Sequence, residues 1–302
     1  MASRSLSPLE ARLILHLEWE KQPVVTVAEA VAILDCSYDH ARQVLHRLAQ
    51  RRWLTPITPG KYELIPAERG EHAFPDTNPL FLGSVLVTPY YFSFATAAFF
   101  WGLSTQAAAT VYVATTTRKA RRVLDVRGKT YRLVVQPAYK FFGVVEVDAY
   151  GSRVMMAEPE KTIVDALDRP AYAGDVPEIA AMLWRGQGRL DWERLAGYAL
   201  RMRSQALVQR LGYLADLLHL PLEAPVRDRL LAGAGKSTPY LGRPGRWGTG
   251  GAYDADWRIV DNVPRQELLA EIQVGSHSPF PVPTTMRPRT RAAQRSPTAT
   301  PG

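Results

Sequence analysis

Leu9, Leu13, Ile14 and Leu17 recur at three- and four-residue spacing, which predicts a helix over residues 8–21 with one buried face. Ser7 stands at the capping position, Pro8 at the first helical position and Glu10 three residues after the serine; Pro23 stops the run. Thr26 and Glu29 repeat the capping signature ahead of a second apolar face, Val27, Ala30, Val31 and Leu34. Asp35-Cys36-Ser37 then breaks the pattern, and Ser37 can cap a third helix over residues 38–50. Its apolar stripe is Ala41, Val44, Leu45 and Leu48, while Asp39, Arg42, Gln43, His46, Arg47 and Gln50 fall off the stripe. Trp53-Leu54, a Thr58-Pro59-Gly60 turn and the alternating residues 61–65 read as a small β-hairpin.

Three helices, the last two separated by a tight turn, followed by a hairpin, form a winged helix-turn-helix pattern. Such a third helix must pack on one side and offer hydrogen-bonding side chains on the other, at a width that fits a major groove of about 12 Å. Ser37, Tyr38, Arg42, Gln43 and His46 meet that requirement, with Arg47 beside them and Lys61 on the wing as a phosphate contact. Arg and Gln match guanine and adenine edges through forked donors or an amide pair. The competing reading is a solvated face on a helical module that contacts protein.

The chain changes character after a polar stretch with Pro75, Asp76, Asn78 and Pro79. Residues 1–70 form the expected first domain, 71–79 a linker and 80–274 a second domain. Residues 275–302, rich in Pro, Ser, Thr and Arg, form an expected disordered tail. Strands are predicted at 82–87, 111–115, 131–135, 142–147 and 153–156, with a turn at Arg127-Gly128-Lys129. Residues 93–102 read as a buried aromatic helix, and residues 162–167 open another behind Glu158 and Glu160. Helical spacing returns at 179–184, 192–200 and 206–218, and a Gly-rich loop leads to a last strand at 257–262 that returns to the sheet. The fold class is α+β: an amino-terminal winged helix-turn-helix, then a mixed α/β domain whose carboxy-terminal part is helical.

A length of 302 residues suits about two domains, and 46% hydrophobic with 22% charged residues excludes wholesale disorder. A single cysteine excludes an internal disulfide and an all-cysteine zinc site. The amino terminus lacks an apolar signal core, and the longest apolar run, residues 90–103, falls short of the ~20 residues a membrane span needs. A cytoplasmic protein without a membrane partner is expected.

The net charge of +8 suggests a polyanionic partner, yet residues 1–70 carry nine basic against eight acidic residues. DNA binding there must come from local placement. Arg118, Lys119, Arg121 and Arg122 begin the densest basic stretch, a possible second DNA-backbone surface or a solvated loop face. Gly233 to Ser237 fails as a phosphate loop because Leu230 stands where its first glycine is needed. Glu158, Glu160 and Asp165 surround one helix start rather than converging as a nuclease metal centre would require. Neither catalytic residues nor a metal or cofactor site is expected.

Residues 91–106, YFSFATAAFFWGLSTQ, resemble the AbiEi-type antitoxin family, whose second domain carries Ser-x-x-(Ser/Thr)-Ala-x-x-x-x-Gly-Leu-x-x-Gln. Ser93, Thr96, Ala97, Gly102, Leu103 and Gln106 match. Phe142-Gly143 before a strand, Pro159-Glu160-Lys161-Thr162-Ile163 with Asp165, and Arg210-Leu211-Gly212-Tyr213-Leu214 follow in the family's order. Phe94 and Trp101 stand where histidine is frequent, so no histidine chemistry carries over. The resemblance spans about residues 8–265 and implies an antitoxin of a type IV toxin–antitoxin pair. Its winged helix would bind operator repeats and repress its own promoter. Its second domain, with Ser93, Gly102, Glu160, Lys161 and Asp165 as motif residues, would counter a nucleotidyltransferase-like toxin and help DNA binding. In this type neutralisation is described as not requiring stable toxin binding. A winged-helix repressor without antitoxin activity, and an antitoxin that sequesters its toxin directly, are the alternatives.

Overall fold

A computed structural model describes residues 5–70, 74–75 and 78–274. The expected tail at 275–302 and most of the expected linker lie outside the described residues.

The first part of the chain runs α1 (Pro8–Trp19), β1 (Val24–Thr26), α2 (Val27–Leu34), α3 (Tyr38–Gln50), β2 (Leu54–Thr58) and β3 (Lys61–Leu64). Both reciprocal capping boxes form: Ser7 with Glu10 opens α1 and Thr26 with Glu29 opens α2. Asp35 takes a left-handed conformation to end α2, and Ser37 caps α3. The strands pair antiparallel in the order β1-β3-β2; β1 joins the expected hairpin as a third strand. Leu13, Ile14, Leu17, Ala30, Val44, Leu45 and Leu48 fill the core between the helices and this sheet.

The remainder is a mixed sheet covered by helices. It comprises α4 (Pro79–Ser84), β4 (Tyr91–Phe92), α5 (Phe94–Phe100), β5 (Thr110–Thr115), β6 (Val123–Val126), β7 (Lys129–Val135), β8 (Val144–Ala149) and β9 (Ser152–Ala157). Then follow α6 (Pro159–Asp168), α7 (Val176–Gly186), α8 (Trp192–Arg201), α9 (Gln205–Leu217), α10 (Ala224–Gly233), α11 (Pro244–Trp247), β10 (Ala252–Asp254), β11 (Ile259–Asp261) and α12 (Arg265–Val274). The six-stranded sheet has the order β6-β7-β5-β4-β9-β8, with β5/β7 and β4/β9 parallel and the other pairs antiparallel. Arg127 and Gly128 both take positive φ, the geometry of a tight two-residue hairpin between β6 and β7. The helical layer packs around α6, α7 and α9. The whole is an α+β fold.

Two expectations are corrected. Residues 82–87 do not form a strand. Asn78 accepts from the Leu80 amide with Pro79 at the first turn, so the segment starts as α4 and buries Leu80 and Leu82 over the sheet. Nor does the segment 257–262 return to the main sheet: β11 pairs with β10 and makes a single parallel bridge from Val260 to Tyr240. Trp257 instead packs on α9, so closely that a Cβ at Gly212 would lie 2.1 Å from its ring. The helices α10 and α12, and α11 with β10 inside the expected Gly-rich loop, are additions to the expected set.

The two parts share contacts. Ile57 of β2 belongs to the same core cluster as Leu80, Leu82 and Val87. Glu63 of β3, buried, accepts from Arg127 at 2.6 Å.

Candidate nucleic-acid interface and buried polar cluster

The polar face of α3 follows from its packing. Ala41, Val44, Leu45 and Leu48 are fully buried, which turns Tyr38, Arg42, Gln43 and His46 outward, all exposed. Ser37 Oγ accepts from the His40 amide at 3.3 Å and so holds the first turn. His46 Nε2 lies 3.1 Å from Gln50 Nε2 along the same face.

Arg47 sits differently. Its Nε reaches Glu10 Oε1 at 3.2 Å, and Arg51 reaches Glu10 Oε2 at 2.7 Å. Burial alone would raise the Glu10 pKa; the Ser7 hydrogen bonds and the two arginines outweigh it and bring the carboxyl below its ordinary value. Arg47 therefore helps to orient α3 on α1.

Lys61 also has a partner. Its ammonium donates to the Val85 carbonyl at 2.5 Å across the junction between the two parts. Burial lowers its pKa, the Glu29 charge opposes that, and Lys119 adds to the lowering. Lys119, on the loop after β5, is therefore near enough to the hairpin for its charge to act on Lys61. Arg118, Lys119, Arg121 and Arg122 are all exposed on that loop. The proximity of Lys119 to Lys61 was illegible in the sequence, where some sixty residues separate them.

The motif residues of the second part divide. Ser93, Lys161 and Asp165 come together, each fully buried. Asp165 Oδ2 accepts from Ser93 Oγ at 2.7 Å and from the Tyr91 hydroxyl at 3.1 Å, while Oδ1 accepts from the Lys161 ammonium one helical turn earlier. The ammonium also lies 4.9 Å from the Phe142 ring centroid and 5.4 Å from that of Tyr91. Burial lowers the Lys161 pKa, with Asp165 opposing it; burial and the Asp165 charge raise that of Tyr91 well above its ordinary value. Tyr91, missed in sequence reasoning, is a full member of the cluster. The arrangement ties β4 and the start of α5 to α6.

Glu160 and Gly102 stand apart from this cluster. Glu160 Oε1 accepts from the Asp191 amide at 2.9 Å and so positions the start of α8. Gly102 takes φ +65° just beyond α5, and its carbonyl accepts from Arg189 at 3.4 Å. Gln106 lines a cleft of about 490 Å³ together with Tyr112, Tyr172, Glu178 and Arg246. Among the described residues no group of His, Cys, Asp and Glu is placed to hold a metal, and no helix is long and apolar enough to cross a membrane.

The geometry defines a mixed α+β protein with an exposed polar face on α3. No family model matches the sequence and no curated protein matches it. Among solved structures, the RV2827C protein from Mycobacterium tuberculosis is similar, with a TM-score of 0.59 at 21% identity. The similarity covers 90% of this chain and 97% of that one, so the fold is shared over almost the full length of both.

Proposed function

We propose that the chain is a DNA-binding antitoxin of a type IV toxin–antitoxin pair that represses its own operon. The observation that carries the DNA-binding part is the Ser37-capped α3, whose buried stripe leaves Tyr38, Arg42, Gln43 and His46 facing solvent. The order of its elements and the β1-β3-β2 sheet support the winged-helix reading, with the hairpin 54–64 as its wing. The loop with Arg118, Lys119, Arg121 and Arg122, whose Lys119 lies near Lys61 of that wing, extends the face as a phosphate-contacting surface. Lys61 joins wing and second domain and adds charge without donating freely to a phosphate. The reading side chains are thus Ser37, Tyr38, Arg42, Gln43 and His46, with Arg47 as a positioning residue.

The antitoxin part rests on the motif resemblance, supported by the convergence of Ser93, Lys161 and Asp165 in one buried cluster. These residues hold the second domain in shape for its partner, a nucleotidyltransferase-like toxin encoded beside it. A catalytic role is not proposed, since each cluster side chain lies out of reach of a substrate.

Titration of the upstream promoter DNA with the full chain tests the reading. Arg42→Ala with Gln43→Ala weakens binding by about 2–5 kcal/mol, the loss of two base-edge contacts, at an unchanged thermal midpoint. Equal affinity of the double variant and the wild-type chain removes α3 as the reading element.

A further inference from the structure

We propose that the outward face of α1 docks a second copy of this chain, with the two helices antiparallel. Leu13, Ile14 and Leu17 of this helix are buried, but Leu15 is 63% and Trp19 83% exposed. At 100° per residue, Pro8, Arg12, Leu15 and Trp19 fall within a single arc of the outer surface. Their spacing of four, three and four residues is that of a helix–helix seam. A Leu and a Trp adjoining on one helix face form a patch rather than scattered surface apolar residues.

Charge along the helix selects the occupant. Arg12 stands in the first half of the face, Glu20 just past its end, and both are exposed. A parallel second copy would set Arg12 against Arg12. An antiparallel one, with the two-fold axis near Leu15, sets Leu15 against Leu15. It also lays Arg12 over Trp19 and beside Glu20 of the other copy, twice by symmetry. A guanidinium on an indole face with a carboxylate at its edge is a favourable arrangement. A surface on which one residue meets another and the second meets the first is what a two-fold dimer requires. The face lies on α1 and uses none of the outward α3 side chains.

A seam of one 12-residue helix is short, about 18 Å, and smaller than interfaces that hold permanently. The dimer is therefore weak, with a dissociation constant on the order of 10–100 µM.

Sedimentation velocity of the full chain across that range tests the proposal, without DNA and independently of the DNA-binding reading. The wild-type chain passes from monomer to dimer. Trp19→Ala and Arg12→Glu each weaken association by at least about tenfold. Arg12→Glu with Glu20→Arg recovers part of that loss, because the ion pair is restored and the guanidinium–indole contact is not. All three sites are exposed, so the thermal midpoint stays at the wild-type value. A wild-type chain that remains monomeric throughout, a dimer that Trp19→Ala leaves intact, or a charge exchange that recovers nothing overturns the proposal.

Discussion

Burying an ammonium and a carboxylate costs several kcal/mol per ion unless each meets the other and their remaining hydrogen-bonding sites are filled. Asp165 takes Lys161 on one oxygen and Ser93 with Tyr91 on the other, so its acceptors are well occupied. Removing one charge is then worse than removing both. Lys161→Met is expected to lower stability by ~3–5 kcal/mol, and Lys161→Met with Asp165→Asn, which removes both charges but keeps an acceptor for Ser93 and Tyr91, to lose clearly less, by urea unfolding. Equal losses in the single and the double variant would contradict the role given to the pair. Glu10 provides a pH test. Its folded pKa is lowered from 4.5, so its contribution is present above that value and lost as pH falls through the folded one. Unfolding of Glu10→Gln across acid pH should show a flatter loss of stability than wild type. At this scale, the outward set on α3 was legible because a stripe of four apolar residues fixes the other side. The partners of Arg47 and Lys61 were not, because Glu10 and Val85 lie 37 and 24 residues away in sequence.

Helix starts carry their own chemistry, and elements with a cap could be read closely. Ser7, Thr26 and Ser37 open α1, α2 and α3 where serine or threonine precedes an apolar period. Residues 82–87 misled because a short apolar run does not distinguish a strand from a buried helix; the Asn78 cap and Pro79 decided it. The last strand was legible as a strand but not its partner, since pairing depends on tertiary position. The junction between hairpin and second sheet was equally hidden. It depends on Glu63 of β3 meeting Arg127 in the turn before β7. Glu63→Ala should cost ~2–3 kcal/mol, the low end for a buried pair because Arg127 keeps part of its side chain in water. Thermal unfolding checks this, and a loss below ~0.5 kcal/mol would mean that the pair does not hold the junction.

The whole molecule sets its charges where the local sequence does not suggest them. Residues 1–70 are nearly balanced, while the loop at 118–122 carries four basic residues, one of them, Lys119, close enough for its charge to act on Lys61 of the hairpin. If that loop contacts phosphates, replacing Arg118, Lys119, Arg121 and Arg122 by Ala lowers the slope of log affinity against log salt by about 3–4. An unchanged slope would leave the loop as solvated surface. The antitoxin reading is tested most directly by growth. The adjacent reading frame is induced with the wild-type chain, the Arg42→Ala with Gln43→Ala variant, or neither, each from an unrelated promoter. Growth is expected to stop with the neighbour alone and to recover with both forms of this chain, because the proposal assigns neutralisation to the second domain and not to the α3 face. A harmless neighbour, or arrest that the wild-type chain does not relieve, would contradict the antitoxin proposal and favour the alternative reading of a repressor without antitoxin activity.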